Sequence, residues 1–268
     1  MSLNKIIKDS GFYIDTVTMD ESMRVAHRHD AYEIYYLIQG SRVFFINNTF
    51  FRVNEGDFIL VPKGVFHRTT GSKYTRTVIN FSTSYLQNFC TPKAEKLLLK
   101  AFNSYQVHPE GEDSKRVLNI LSEMQKIFLD YEDRIFVLLA DLLDILTQSK
   151  TIDRTMLSER EEKISEIIEY TNENYTKINS IQDISNTFYL SKEYFCRLFK
   201  KHMGITFSDY LNKIKLHHAT NLLITTDKQL PEIAAMCGFH SSSYFCKAFK
   251  KEYGITPNTY KYLHYKNE

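Results

Sequence analysis

Only four cysteines occur in the 268 residues, Cys90, Cys196, Cys237 and Cys246, and their spacing matches no metal-ligand pattern. A cysteine-based zinc site is excluded and no disulfide framework is expected, so a reducing, cytoplasmic setting fits. Apolar runs of bilayer-spanning length are absent, and no signal peptide is expected, which argues against a membrane partner. Net charge is also nearly absent: 34 Lys and Arg against 32 Asp and Glu leave +2, which by itself names no ligand. Length points to two domains, each able to bury its own core.

The charge that is present is unevenly placed. Residues 191–268 hold 12 Lys and Arg against 6 Asp and Glu, whereas residues 1–190 hold 22 against 26. A basic end on an otherwise acidic chain reads as an electrostatic footprint for phosphates. The same end contains a repeat. Residues 191–211 and 241–261 align without a gap at an offset of 50, and about half the positions are identical. A repeat of this length signals a repeated supersecondary unit.

Each copy has the same plan. Ser180 and Asp183 form a capping pair for a short helix with Ile181, Ile184 and Phe188 on one side. A turn at Tyr189-Leu190 follows, and Ser191 is a good N-cap for a second helix. There Phe195, Leu198 and Phe199 share the inner face, while Lys192, Glu193, Cys196, Arg197 and Lys200 lie outside. In the second copy Gly238 suits a left-handed helix end, Phe239-His240 turns, and Ser241 opens a helix. Phe245, Ala248 and Phe249 face inward there; Ser242, Ser243, Cys246 and Lys247 face outward. Two packed helical hairpins with solvated lysines would give part of this pattern, but the basic outer faces in both copies favour helix-turn-helix units that enter DNA grooves. Residues 207–226 read as a connecting helix with a stripe of Tyr210, Leu211, Ile214, Ala219, Leu222 and Leu223. About 18 helical residues span roughly 27 Å, against roughly 34 Å between successive major grooves on one DNA face.

Residues from about 161 to 262 strongly resemble the DNA-binding domain of AraC-type transcription regulators. The resemblance is carried by Ile233-Ala234, Gly238-Phe239, Ser243-Tyr244-Phe245, Lys247, Phe249-Lys250-Lys251 and Gly254-Ile255-Thr256-Pro257, with Leu190-Ser191-Lys192, Tyr194-Phe195, Arg197 and Phe199-Lys200 in the first copy. It implies base reading by Lys192, Glu193, Cys196 and Arg197, then by Ser242, Ser243, Cys246 and Lys247. Lys200, Lys201, Lys250 and Lys251 are better placed for phosphates, with Ser191 and Ser241 at the helix starts. A thiol is a weak donor, so Arg197 is the strongest candidate for direct readout of guanine.

The front of the chain has a different texture. Alternating runs at residues 32–38, 42–46, 50–53, 57–61 and 76–81 are broken by Asn47-Asn48, Glu55-Gly56, Lys63-Gly64 and Gly71-Ser72, the pattern of an all-β sandwich or barrel. His27 and His29 fall two apart, which on a strand points both side chains the same way. His27, His29, Glu33 and Gly40, followed by Gly56, Pro62, Gly64 and His67, resemble the two motifs of a cupin barrel, a small jelly roll with a central pocket. Glu21 and Gly71 stand where the family pattern has Gly and Asn. The resemblance implies that His27, His29, Glu33 and His67 line an effector pocket with Tyr35 and Phe44, and that a divalent transition metal is a candidate occupant. Tyr35, Phe44, Ile46, Phe58 and Leu60 are expected at the pocket floor.

Residues 94–102, 114–129 and 133–148 are predicted helices. Leu118, Leu121, Met124 (or Gln125) and Phe128 make one stripe, and Phe136, Leu139, Leu142 and Leu146 another. The second helix is unusually apolar, and in resembling regulators helices here make a homodimer. The expectation is an α+β chain: a cupin-like effector-binding barrel at residues 1–90, a helical dimerisation segment and linker at 91–157, and a double helix-turn-helix domain at 158–268. This organisation implies no enzyme but an effector-controlled transcription regulator acting on promoter DNA with RNA polymerase. A metal-dependent cupin enzyme with an accessory nucleic-acid-binding domain is the alternative, and a protein-binding helical module a third reading.

Overall fold

The computed structural model describes residues 11–20, 26–47, 49–127, 132–152 and 158–265. Glu21, Asn48, Phe128, Leu129 and residues 153–157 of the expected linker lie outside them. The chain divides into two compact units, Met1–Leu157 and Ser158–Glu268.

In the first unit, strands β1 (Phe12–Met19), β2 (Tyr32–Gln39), β3 (Arg42–Ile46), β4 (Thr49–Val53), β5 (Phe58–Val61), β6 (His67–Gly71), β7 (Tyr74–Phe81), β8 (Gln106–His108) and β9 (Lys150–Thr151) pair antiparallel. They form a six-stranded sheet, β1-β7-β2-β5-β8-β9, and a three-stranded sheet, β4-β3-β6. The expected barrel is thus two sheets in jelly-roll manner, unclosed among the described strands. Between them lie Tyr35, Leu37, Ile59, Val61, Tyr74 and Val78 of the large sheet against Phe44, Ile46, Phe51 and Val53 of the small one.

Alternate residues of the large sheet face the other way. Ile34, Tyr36, Phe58, Leu60, Ile79 and Phe81 pack under helices, so Phe58 and Leu60 belong to this outer layer and Ile59 and Val61 take their expected places inside. The covering helices follow α1 (Thr83–Gln87) and α2 (Pro92–Leu98): they are α3 (Gly111–Ile127) and α4 (Glu132–Gln148). On α3 the buried stripe is Val117, Ile120, Leu121 and Met124, while Leu118 is 47% exposed, a one-residue rotation from the expected phase. On α4, Ile135, Leu139, Leu142, Leu143, Ile145 and Leu146 are all buried against this layer. Covering the sheet accounts for the buried part of its apolar character, while Val137 on the same helix is 63% exposed. The segment after residue 90 is also not separate from the sheets, since β8 and β9 extend the six-stranded one.

The second unit is helical: α5 (Glu159–Asn174), α6 (Ile181–Thr187), α7 (Lys192–Met203), α8 (Phe207–Thr225), α9 (Leu230–Met236), α10 (Ser242–Tyr253) and α11 (Pro257–Tyr265). The repeat is visible in the caps. Ser191 and Ser241 hydroxyls accept from the amides of Tyr194 and Tyr244, at 3.3 and 3.4 Å. Gly204 and Gly254 then end α7 and α10 in the left-handed conformation, which a side chain disfavours. None of the described helices is long and apolar enough to cross a membrane.

Gly238 separates two kinds of glycine requirement. Its φ is +75°, and an added Cβ would lie 2.8 Å from the Thr176 Cα, whereas a Cβ on Gly254 meets nothing within 4 Å. Gly254→Ala is expected to cost roughly 1–2 kcal/mol for the left-handed conformation alone, and Gly238→Ala clearly more. Denaturant melts of the full chain measure both; equal losses would contradict the packing argument.

Candidate nucleic-acid interface and sensor site

The inner faces of α7 and α10 are consumed by aromatic packing. Phe195 and Phe199, both fully buried, lie 5.1 and 5.2 Å from the Phe207 ring at the start of α8, and Phe199 lies 5.3 Å from Tyr210. Phe245 and Phe249 pack with Phe239, Tyr253 and Tyr260 in the second cluster. What is left outside is the set of sequence candidates. Ser191, Lys192, Glu193, Arg197, Lys200 and Lys201 are exposed, as are Ser241, Ser243, Lys247, Lys250 and Lys251; Cys196, Ser242 and Cys246 are half-buried.

The helix α8 carries both reading helices but holds them differently. The first is fixed through the aromatic contacts above. The second shares a buried apolar cluster with Leu216, Ala219 and Leu223, and polar bonds from a single turn of α8 add to it: Asn212 Nδ2 donates to the Tyr244 hydroxyl at 2.9 Å, and Lys213 pairs with Glu252. Lys215 Nζ donates to the Gly238 carbonyl at 2.7 Å, just ahead of α10. Burial lowers the pKa of Lys215, which is only 6% exposed and was not anticipated inside the stripe. The three bonds reach both ends of α10 and the turn before it. Beside them a cleft of about 510 Å³ is lined by Lys213, Lys247 and Lys251, leaving that flank of α10 open.

In the first unit, His27 is not on a regular strand. It makes a single bridge to His67, with both backbone N···O distances 3.0 Å, and His29 follows in irregular chain. The three imidazoles nevertheless converge: one nitrogen from each of His27, His29 and His67 falls within 4.8 Å of the others. Glu33 joins through His29, whose Nε2 is 3.1 Å from Oε2, with His67 Nε2 at 3.9 Å.

Hydrogen bonding fixes the tautomers. His29 Nδ1 lies 2.9 Å from the Ala31 carbonyl and His67 Nδ1 3.1 Å from that of Val65. A nitrogen facing a carbonyl must be the protonated donor, so each neutral ring turns an Nε2 lone pair toward Glu33. Two lone pairs facing a carboxylate are stable only with a proton or cation among them. Burial alone would raise Glu33, but the hydrogen bond from His29 and the fields of His67, His29 and Arg76 overcome it and bring its pKa down to about 2. His29 is raised, its burial outweighed by Glu33, whereas burial pushes His67 down to about 4 despite the attraction of Glu33. The donor set suits a divalent transition metal, and His67 Nε2 is buried without a hydrogen-bond partner among the described residues.

More polar groups line the same interior. Tyr35 sits between the sheets against Phe44, at 4.7 Å, and its hydroxyl is buried and unsatisfied. Asn80 is paired in register with Glu33, so its side chain shares that inner face; both its amide atoms and Arg76 Nη1 also lack hydrogen-bond partners among the described residues. Arg42, 2% exposed, donates to Thr69 Oγ1 and the Ser72 carbonyl and lies 3.9 Å from the Tyr74 ring centre. Sequence reading missed Arg42, Arg76 and Asn80. The alternation Tyr74, Arg76, Val78, Asn80 along β7 was the available signal.

A model described as an AraC-like ligand binding domain matches residues 12–160, and one described as a helix-turn-helix domain matches residues 184–262. The uncharacterized HTH-type transcriptional regulator YijO of Escherichia coli (strain K12) is 29% identical over 171 residues, 63% of this chain and 53% of that protein. This chain therefore spans about half of that relative's length. The melibiose operon regulatory protein of the same strain is 23% identical over 255 residues, covering 90% of this chain and 84% of that one. A solved structure of ToxT from Vibrio cholerae covers 95% of this chain and 99% of its own at 16% identity, with a TM-score of 0.37. With the ligand-binding model alone spanning more than half of its residues, the chain belongs to the AraC family of transcription regulators.

Proposed function

We propose that the chain is a cytoplasmic, sequence-specific regulator of transcription whose hold on promoter DNA is set by a small molecule bound between the two sheets. One observation carries the DNA half of this reading: α7 and α10 are fastened to a single helix by their inner faces, with polar and basic outer faces exposed. At 19 residues α8 is roughly 28 Å long, close to one groove repeat. Lys192, Glu193, Cys196 and Arg197 would read one major-groove segment and Ser242, Ser243, Cys246 and Lys247 the next, with Lys200, Lys201, Lys250 and Lys251 on phosphates. Action on a promoter implies RNA polymerase as a partner, and a second copy of the chain would double the contacts.

The effector half rests on the unsatisfied polar atoms of Tyr35, Arg76, Asn80 and His67. Leaving such groups without partners costs about 1–3 kcal/mol each, which a bound polar molecule would offset. Donors and acceptors are mixed there, which favours a polyhydroxylated effector; one relative is named for a sugar operon. His27, His29 and His67, with Glu33 beside them, would hold a divalent metal ion, supplying a Lewis-acid contact to an effector oxygen. The relatives reported are named as transcription regulators, which favours sensing over catalysis.

Arg197→Ala is expected to cost about 1–3 kcal/mol on a cognate duplex and to relax specificity; equal losses on cognate and scrambled DNA in a binding titration would refute base reading. Breaking the Lys213–Glu252 pair by Lys213→Glu should weaken recognition in the second half-site only, and adding Glu252→Lys should restore it. Loss spread over both half-sites would show that the pair does not orient α10. For the metal, elemental analysis of protein purified without additions should find an ion that His27→Ala and His67→Ala both lose; metal-free wild type would leave the histidines as pocket lining.

A further inference from the structure

The two helix-turn-helix units differ at their turns. After the turn the repeat runs at an offset of 50; before it the offset is 49, pairing the buried Ile184 with Ile233 and the C-caps Phe188 and Cys237. Both turns are built alike up to that point. The residue after the C-cap is left-handed, Tyr189 at φ 54° and Gly238 at φ 75°, and the next amide returns to its helix at 2.9 Å, Leu190 to Ser185 and Phe239 to Ala234. The second turn then inserts His240 before its N-cap.

Gly238 is required by the close approach of Thr176. Nothing among the described residues requires a tyrosine at position 189. Tyr189 keeps a bulky side chain in a conformation that L-residues disfavour. That side chain is 97% exposed, with no hydrogen bond or ring neighbour among the described residues. The left-handed turn serves the Leu190–Ser185 bond, which glycine would allow with less strain, but the phenol itself adds no contact among the described residues, so its use is sought with a partner. Tyr189 stands two residues ahead of Ser191, the N-cap of α7, beside the exposed Lys192 and Glu193. The first turn of a reading helix approaches base edges, and the chain next to it meets the sugar-phosphate strand.

We infer that Tyr189 is a backbone contact of the first reading head, its phenol O–H donating to a phosphate oxygen beside the groove that α7 enters. The second head has no counterpart at Gly238 and presents the exposed His240 instead, so the two heads grip the strand differently. The inference rests on the DNA-binding reading above.

The test uses the full chain, a duplex that the wild type selects from random sequence, and a scrambled version of it. A phosphate contact carries no sequence information and a neutral donor displaces no counterion. Tyr189→Phe should therefore weaken both duplexes about three- to tenfold, with the salt slope and melting temperature unchanged. Tyr189→Gly should lose at least as much affinity without melting lower. Lys200→Ala, a charged control at a residue assigned to phosphate, should instead flatten the salt slope. Wild-type affinity of Tyr189→Phe on both duplexes overturns the inference. So does a loss confined to the selected duplex, or unchanged DNA binding with a loss only in polymerase-dependent transcription. Failure of wild type and variants alike to bind either duplex would remove the regulator reading, and this inference with it.

Discussion

Two short helices can address DNA together only if neither is free to rotate on its own, and α8 supplies that constraint. Its first turn anchors α7 through Phe207 and Tyr210 against Phe195 and Phe199. One and a half turns later, Asn212, Lys213 and Lys215 hold α10 and the turn that precedes it. Truncating a buried Phe costs about 3–5 kcal/mol, whereas an exposed or half-exposed ion pair is worth about 1 kcal/mol or less. Both attachments have an apolar part, the second through Leu216, Ala219 and Leu223 of α8 in one cluster with Phe245 and Phe249, and the second is also directional: hydrogen bonds fix an angle that apolar contact alone leaves loose. With the inner faces committed in this way, Lys and Arg on the outer faces are kept for solvent or for phosphate and base.

The first unit shows the opposite economy. Its sheets bury nearly everything that alternation places inside, yet one end of that interior is polar: Glu33, His67, Asn80 and Arg76 share it with Tyr35. A closed apolar core would be more stable than one with unsatisfied donors. In the proposed reading these polar groups are kept for an effector, and a ligand that satisfies them would favour the ordered arrangement over any that binds it less well.

Much of this was readable because two periods dominate the chain. Residues 42–46 gave β3 with its observed limits, since Gly40-Ser41 and Asn47 bracket a short alternating run. The helix-turn-helix units were plain from the three-and-four spacing of Phe195, Leu198 and Phe199 and from the serine caps. The rest was obscured for identifiable reasons. The strand β5 is buried on both faces, so no period says that Ile59 and Val61 look inward. Strand β6, His-Arg-Thr-Thr-Gly, has no apolar member, and β8 and β9 are too short to show a period at all. The segment of His27 and His29 reads as a strand by spacing but is fixed by one bridge, so the cluster depended on a long-range contact with His67. Lys215 was passed over because a charge inside an apolar stripe looks exposed until the Gly238 carbonyl that receives it is in place.

The central claim is that one polypeptide lays two reading helices into neighbouring major grooves on one face of a duplex. Guanine N7 methylation protection by the full chain on a selected duplex tests it most directly, because that atom is accessible only from the major groove. The account predicts two protected clusters about 10–10.5 base pairs apart. A single protected cluster, or two on opposite faces of the helix, would contradict it.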